Sequence, residues 1–318
     1  MHTQALQRVR RSVNDKIDHR ILHVLQKDGR ISNLQLAEQV HLSPSAVFER
    51  VRRLQREGYI LGYQARLSHE KLGMEVVAFV EVQLERMNPQ VRQHFEDAVR
   101  QRAAILECYM IAGTFDYLLK VVVSDMHACR ELVASVISRL PGVREARTHA
   151  GIEQPRPPVP APAGAEPFID DVDAALLRLL QADGRRSTAR LAEELDLTAA
   201  VVRERLSRLC RRGFILGYTA VLNEAKLKSG LQVFAAVRTA AAATGIARVL
   251  RAAALNHVEI LECHDVTGNF QHLLKLRVAD MRSHNELMES AVWPLPGVCE
   301  VRTYAVIDEI KNTTRIPL

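Results

Sequence analysis

The residues with the longest chemical reach gather in one run, LSPSAVFERVRRLQREGYILGY, which holds Ser43, Ser45, Ala46, Glu49, Arg50, Arg52 and Arg53. Ser43 suits a helix N-cap, because its hydroxyl accepts from a free backbone N–H, and Pro44 follows where a missing N–H costs nothing. Small residues at such a helix start let the backbone approach a nucleic-acid groove, and the arginines reach phosphates or guanine edges. A matching run, LTAAVVRERLSRLC, carries Arg203, Arg205 and Arg208. A second constellation sits in two short hairpins. AGTFDYLLK contains Gly113, Thr114 and Asp116, and TGNFQHLLK contains Gly268, Asn269 and Gln271. A glycine there tolerates positive φ and leaves N–H groups open to a ligand carboxylate.

Other chemistries find no support. Cys108, Cys129, Cys210, Cys263 and Cys299 show no C-x-x-C or Cys/His spacing, and the histidines form no ligand-spaced pair. No metal, cofactor or catalytic residue is expected. An odd number of cysteines and no export signal favour reduced thiols in the cytoplasm. No apolar run is long enough to span a membrane, so no membrane partner is expected.

The elements that must position these residues follow from periodicity. Ile17, Ile21, Leu22, Val24 and Leu25 mark a helix that ends near Asp28-Gly29. Leu34, Ala37 and Val40 give the next helix an apolar side, and Val47, Val51 and Leu54 give one to the helix after Ser43. Together these read as a helix-turn-helix, with Ser45, Ala46, Phe48, Glu49, Arg50, Arg52 and Arg53 facing outward. Short extended runs at 59–63 and 65–67 read as a small wing or linker strand.

The rhythm then changes. Strands are expected at 75–84, 105–112, 115–123 and 143–152, with helices at 89–101 and 126–140. The order β-α-β-β-α-β is that of a ferredoxin-like sandwich, so the fold class is α+β. Residues 155–167 are Pro/Ala-rich and read as a semi-extended linker; residues 1–14 read as a mobile basic arm.

After the linker the chain repeats. Asp18 matches Asp173, Asp28-Gly29-Arg30 matches Asp183-Gly184-Arg185, and Pro141-Gly142-Val143 matches Pro296-Gly297-Val298, every pair 155 positions apart. This is a tandem duplication of a two-domain unit. The expected domains are helix-turn-helix 15–73, sandwich 74–154, linker 155–167, helix-turn-helix 168–229 and sandwich 230–311. Net charge is +6, and residues 1–73 hold 13 Lys/Arg against 7 Asp/Glu where 168–230 hold 11 against 9. The first copy is therefore expected to be the stronger partner for a polyanion. Glu193, Glu194 and Asp196 are expected to weaken phosphate attraction in the second.

The motifs DGRISNLQLA, LSPSAVFERVRRLQREGYILGY, ECYMIAGTFDYLLKVVVSDM and LPGVREART resemble the Lrp/AsnC family of transcription regulators, in both halves of the chain. The resemblance implies a winged helix-turn-helix that binds double-stranded DNA. It also implies a sandwich, the RAM domain, that binds an amino-acid effector and mediates homo-oligomerisation. It puts Asp116 in the effector region, where Gln271 of the second copy lacks the charge. Siroheme decarboxylases resemble the same two-domain module, sometimes fused, and supply an enzymatic alternative, but the hairpin GTFDYLLK reads as in the regulators. A partner that joins mixed oligomers without tight DNA binding is the other alternative. Apolar faces on 76–84 and 233–239 predict that two sandwiches, of one chain or of neighbouring chains, pair as pseudo-symmetric halves, so that one chain stands for a family dimer.

Overall fold

The computed structural model describes residues 15–151, 169–227, 230–240 and 245–317. The basic arm expected over 1–14 and the linker expected at 155–167 lie outside them. The chain divides into two compact units, one drawn from residues 1–68 and 165–228, the other from 69–164 and 229–317. Each unit thus joins like domains from the two copies.

The first unit holds α1 (Lys16–Lys27), α2 (Asn33–Val40), α3 (Pro44–Arg56) and β1 (Ile60–Leu67), then α6 (Asp171–Ala182), α7 (Thr188–Glu194), α8 (Ala199–Arg211), β6 (Ile215–Leu222) and the short α9 (Glu224–Leu227). The caps follow the sequence. Ser32 and Gln35 form a reciprocal capping box, Ser43 Oγ accepts from Ala46 N–H at 3.3 Å, and Thr198 Oγ1 accepts from Val201 N–H at 3.3 Å. The turn between α2 and α3 contains His41 at φ 58°, and its counterpart Asp196 has φ 53°. Ile21, Leu25, Leu36, Val47 and Leu54 close the core of the first copy.

The extended runs expected as a wing or linker form one strand, β1, whose partner is β6 of the other copy. Their antiparallel ribbon is centred on Gln64↔Thr219, two residues at the same register of the repeat. Around it the contacts are reciprocal. Gly29 N–H donates to Tyr218 O and Gly184 N–H to Tyr63 O, both at 2.8 Å. Arg30 Nε donates to Gly184 O and Arg185 Nε to Gly29 O, both at 2.6 Å. The Arg30 guanidinium lies 3.8 Å over Tyr218 and that of Arg185 lies 3.6 Å over Tyr63, a cation–π pair on each side. Neither glycine has room for a Cβ, which would lie 2.8 Å from Thr219 C at Gly29 and 2.6 Å from Gln64 C at Gly184.

The second unit contains β2 (Val76–Leu84), α4 (Pro89–Arg100), β3 (Ile105–Ala112), β4 (Tyr117–Val123), α5 (Met126–Glu131) and β5 (Val143–Ala150), then β7 (Leu231–Thr239), α10 (Ile246–Asn256), β8 (Ile260–Asp265), β9 (His272–Val278), α11 (Met281–Leu287) and β10 (Val298–Asn312). Both sandwiches share one eight-stranded antiparallel sheet, in the order β5-β2-β4-β3-β10-β7-β9-β8. At its far ends an isolated bridge joins Gly151 to Val266, the pseudo-two-fold mate of the Val306↔Ile111 pair in β10 and β3. Ala78, Val80 and Val82 of β2 face the helices, while Phe79 between them packs with Tyr109, Phe115, Phe234, Phe270 and Tyr304 in a core shared by the two sandwiches. This explains strands that are apolar on both faces.

One element departs from expectation. The helix expected over 126–140 is α-helical only to Glu131, widens into a π turn at Leu132–Val136 and tightens into a 3-10 turn at Ile137–Arg139. The second copy widens in the same place, at Met288–Val292. Such turns displace a helix surface locally and recur at functional sites.

Candidate functional site

On α3 the sequence-predicted residues separate into two groups. Ser45, Glu49 and Arg52 are exposed, with Phe48 at 49% exposure beside them, and Ala46 is half-buried. Ser43 is spent as the cap. Arg50 and Arg53, expected to face outward, instead turn toward α1. Arg50 Nη1 donates to Asp15 Oδ2 at 2.7 Å and to Asp18 Oδ1 at 2.9 Å, and Arg53 Nη2 donates to Asp18 Oδ2. Asp18 is 1% exposed, so its charge requires these cations. The hydrogen bond that Arg50 donates to Asp18 pushes the Arg50 pKa still higher.

The second copy repeats the arrangement. Arg205 donates to Asp170 and Asp173, and Arg208 Nη2 to Asp173 Oδ2 at 2.7 Å. What stays exposed on α8 is Ala200, Val201, Arg203, Glu204, Ser207, Cys210 and Arg211, with Arg212 just beyond. The charge ranking expected from the sequence changes with this geometry. The exposed charges of α3 and the residue after it, Glu49, Arg52, Arg56 and Glu57, cancel, whereas those of α8 leave Arg203, Arg211 and Arg212 against Glu204. Glu194 is engaged by Arg186 and by Arg190, which lowers its cost to an approaching phosphate.

In the second unit the hairpin residues mostly serve the fold. Asp116 Oδ2 accepts from Leu84 N–H at 2.7 Å, and Gln271 Oε1 accepts from Thr239 N–H at 2.9 Å. Asp116, which the resemblance puts in the effector region, thus gives one carboxylate oxygen to the strand end. Gly113 does not adopt positive φ, and a Cβ there would lie 3.0 Å from the Tyr304 ring. Gly268 does, at φ 120°, with His149 Nδ1 only 2.5 Å from where its Cβ would be. Thr114 is exposed, and Asn269 borders a cleft of about 10 Å³, room for one water, with Arg238 and Arg302.

The roomy cavity lies elsewhere, over α5 and β5. It is an open groove of about 490 Å³, is walled by Met126, Cys129, Val133 and Ala150, and carries Arg130, Ser138, Thr148 and Thr267 as polar groups. Thr267, beside Gly268, comes from the other copy's hairpin. Sequence reasoning passed over this cavity, although a signal lay in the repeat. Cys129, Val133 and Ser138 are replaced in the second copy by His284, Met288 and Trp293. There His284 is 3% exposed and its Nε2 reaches to 3.4 Å from Thr303 Oγ1, across the space that stays open between Cys129 and Thr148.

Between the two sandwiches lies a ring of alternating charge. Lys120 contacts Glu107 at 3.2 Å and also Glu262, and Lys275 contacts Glu107 at 2.8 Å and Glu262 at 3.1 Å. Tyr109 donates to Glu107, while His264, at the same register, contacts Glu262, each at 2.7 Å. Burial opposes the Glu262 charge, but His264, Lys120 and Lys275 outweigh it and hold its carboxyl far below the usual carboxylate range. Burial pushes the Cys108 thiol up strongly and the Cys263 thiol to about 11, so neither is an activated nucleophile. Among the described residues no His, Cys, Asp and Glu group is arranged to hold a metal, and no helix is long and apolar enough to cross a membrane.

Residues 77–159 and 232–316 both match the Lrp/AsnC ligand binding domain. The chain belongs to the Lrp/AsnC family. Residues 14–60 match a winged helix-turn-helix DNA-binding domain and 169–209 an AsnC-type helix-turn-helix domain, so this Lrp/AsnC protein carries both domains twice. Leucine-responsive regulatory proteins of Escherichia coli (strain K12) and Klebsiella pneumoniae are each 48% identical to it over 140 residues, which span 44% of this chain and 85% of theirs. A transcriptional regulator from Neisseria meningitidis solved with L-Met is 33% identical and covers 47% of this chain and 97% of its own, with a TM-score of 0.42. The siroheme decarboxylase NirDL, at 15% identity, overlays 94% of this chain and 93% of its own with a TM-score of 0.65, a likeness of the tandem fold.

Proposed function

We propose that this Lrp/AsnC chain is a sequence-specific DNA-binding transcription regulator that responds to a small carboxylate such as an amino acid. The observation that carries the reading is the reciprocal β1–β6 ribbon, which joins two helix-turn-helix copies whose α3 and α8 keep small residues and arginines exposed. Nearly half-identity to leucine-responsive regulatory proteins over one module supports it. Arg52 and Arg56 of α3 and Arg203 and Arg211 of α8 are the proposed DNA contacts, with Ser45, Ala46 and Glu49 at the groove-facing surface. Arg50, Arg53, Arg205 and Arg208 act behind them by fixing the helices against α1 and α6. The effector occupies the cavity over α5, where Arg130 takes its carboxylate, the Ser138, Thr148 and Thr267 hydroxyls take its polar groups, and the Met126–Val133 wall takes its apolar tail. The relatives' name makes leucine the first candidate. Chains associate further through the sandwiches, where Leu255 and Val258 are each 89% exposed, and act in the cytoplasm.

The test is fluorescence anisotropy on DNA from upstream of its own gene at several salt concentrations. Specific binding that weakens steeply with salt supports the reading. Absence of binding at low salt overturns it. The whole-chain fold likeness to NirDL favours siroheme decarboxylation as a second reading. It is separated by adding siroheme and following its absorbance and carbon dioxide release; turnover would replace the regulator reading.

A further inference from the structure

A protein with identical helices on a two-fold axis reads an operator whose halves mirror each other, because the DNA site reproduces the symmetry of the protein. Here the backbone keeps that symmetry and the side chains break it. The ribbon centred on Gln64↔Thr219 and the mirrored Gly29 and Gly184 contacts give α3 and α8 equivalent settings within one unit. The ion pairs behind the helices are preserved as well, Arg50–Asp18 in one copy and Arg205–Asp173 in the other. Several outward positions diverge. Ser45, Ala46, Phe48 and Arg52 of α3 stand where α8 has Ala200, Val201, Arg203 and Ser207.

Those replacements exchange one base preference for another. Phe48 is 49% exposed on α3, and Leu34 of α2 is 60% exposed, two apolar side chains turned largely to solvent. In the major groove an exposed phenyl ring contacts the methyl group of thymine, whereas a guanidinium pairs bidentately with guanine O6 and N7. Arg203 puts that guanidinium at the Phe48 position, and Ser207 removes the cation that Arg52 supplies one turn later. We propose that the paired helix-turn-helix unit reads a non-palindromic operator, with a thymine-bearing half-site under α3 and a guanine-bearing half-site under α8. This rests on the DNA-binding reading above and adds what each half contributes to it.

The experiment is selection of bound sequences from a randomised duplex library by the full chain. Two variants accompany the wild type. One copies the first face onto the second, Ala200→Ser, Val201→Ala, Arg203→Phe and Ser207→Arg. The other copies in the reverse direction at Phe48→Arg and Arg52→Ser. All six substituted positions are exposed, and circular dichroism checks that both variants fold. The expected result is two unlike half-sites for the wild type and a mirrored site for the first variant, with the guanine-bearing half duplicated by the second. On the selected wild-type site, replacing one half by the mirror of the other weakens binding by about tenfold or more, as mismatched base pairs do. A mirrored site selected by the wild type overturns this inference and leaves the regulator reading standing. No enrichment of any sequence overturns both.

Discussion

Asp116 and Gln271 occupy one register position in the two sandwiches and hold the same strand end, each accepting a backbone N–H, from Leu84 at 2.7 Å and from Thr239 at 2.9 Å. A carboxylate and an amide are interchangeable in this task because only an acceptor oxygen is required. Asp116→Asn is therefore expected to keep most of the stability, while Asp116→Ala leaves the Leu84 N–H without its acceptor and costs roughly 1–3 kcal/mol. Urea denaturation of the two variants measures the difference. A ligand-induced thermal shift that survives Asp116→Asn would separate this carboxylate from the effector site.

The arginines of α3 give opposite phenotypes according to where they point. Arg53→Ala or Arg50→Ala strips cations from the buried Asp18, at a cost on the order of 3 kcal/mol, and lowers the melting temperature even without DNA. Arg52→Ala changes stability by less than about 0.5 kcal/mol. It is expected to reduce DNA affinity instead, and to shorten the slope of log affinity against log salt by about one. Thermal melts and salt-dependent anisotropy on the same preparations check both.

Acid acts on the charge ring. In the folded chain the Glu262 carboxyl is held below an ordinary glutamate's 4.5, and Asp265 is held below 3.8, its burial outweighed by His272 and Arg251. The unfolded chain then binds protons first as pH falls. This contribution to stability is complete above about pH 4.5 and is lost below it, with a slope of at most about 1.4 kcal/mol per pH unit for each carboxylate. Burial opposes the Lys275 charge, yet Glu107 and Glu262 raise its pKa above 10.5, so its share persists until more alkaline pH. The drop in urea midpoint between pH 6 and about pH 3.5 should be smaller for Glu262→Gln than for wild type.

At the position matching the cavity over α5, the second copy carries the larger His284, Met288 and Trp293, so the proposed effector site belongs to the first copy. Titration calorimetry with leucine should give one site per chain, and Arg130→Ala should weaken binding at least about tenfold through loss of a charge-assisted contact. His284→Cys, Met288→Val and Trp293→Ser together restore the first copy's residues and should create a second site. Two sites in the wild type would refute the assignment of the filled groove.

The organisation was legible because the repeat register is unbroken and the helix and strand periods are clear. Ser43-Pro44 announces α3, and the two-faced apolar pattern of 76–84 announces a second packing partner. The inward turn of Arg50 and Arg53 was missed because their amphipathic positions border both core and solvent. Asp18 carried the clue, since it precedes Ile21, Leu22 and Leu25 on a buried stripe and recurs as Asp173, where an unpaired carboxylate would be costly. The cavity was missed for another reason. It depends on a π turn and on a residue, Thr267, from the other copy, and neither has a period to read.

The β1–β6 ribbon has a consequence for dose. Two separate chains must meet before such a ribbon forms, so at high dilution the amount of paired unit rises as the square of the amount of chain. When both strands belong to one polypeptide, each finds the other at an effective concentration in about the millimolar range or above, whatever the number of molecules in the cell. Paired unit then accumulates in simple proportion to synthesis, and stability ceases to depend on protein concentration.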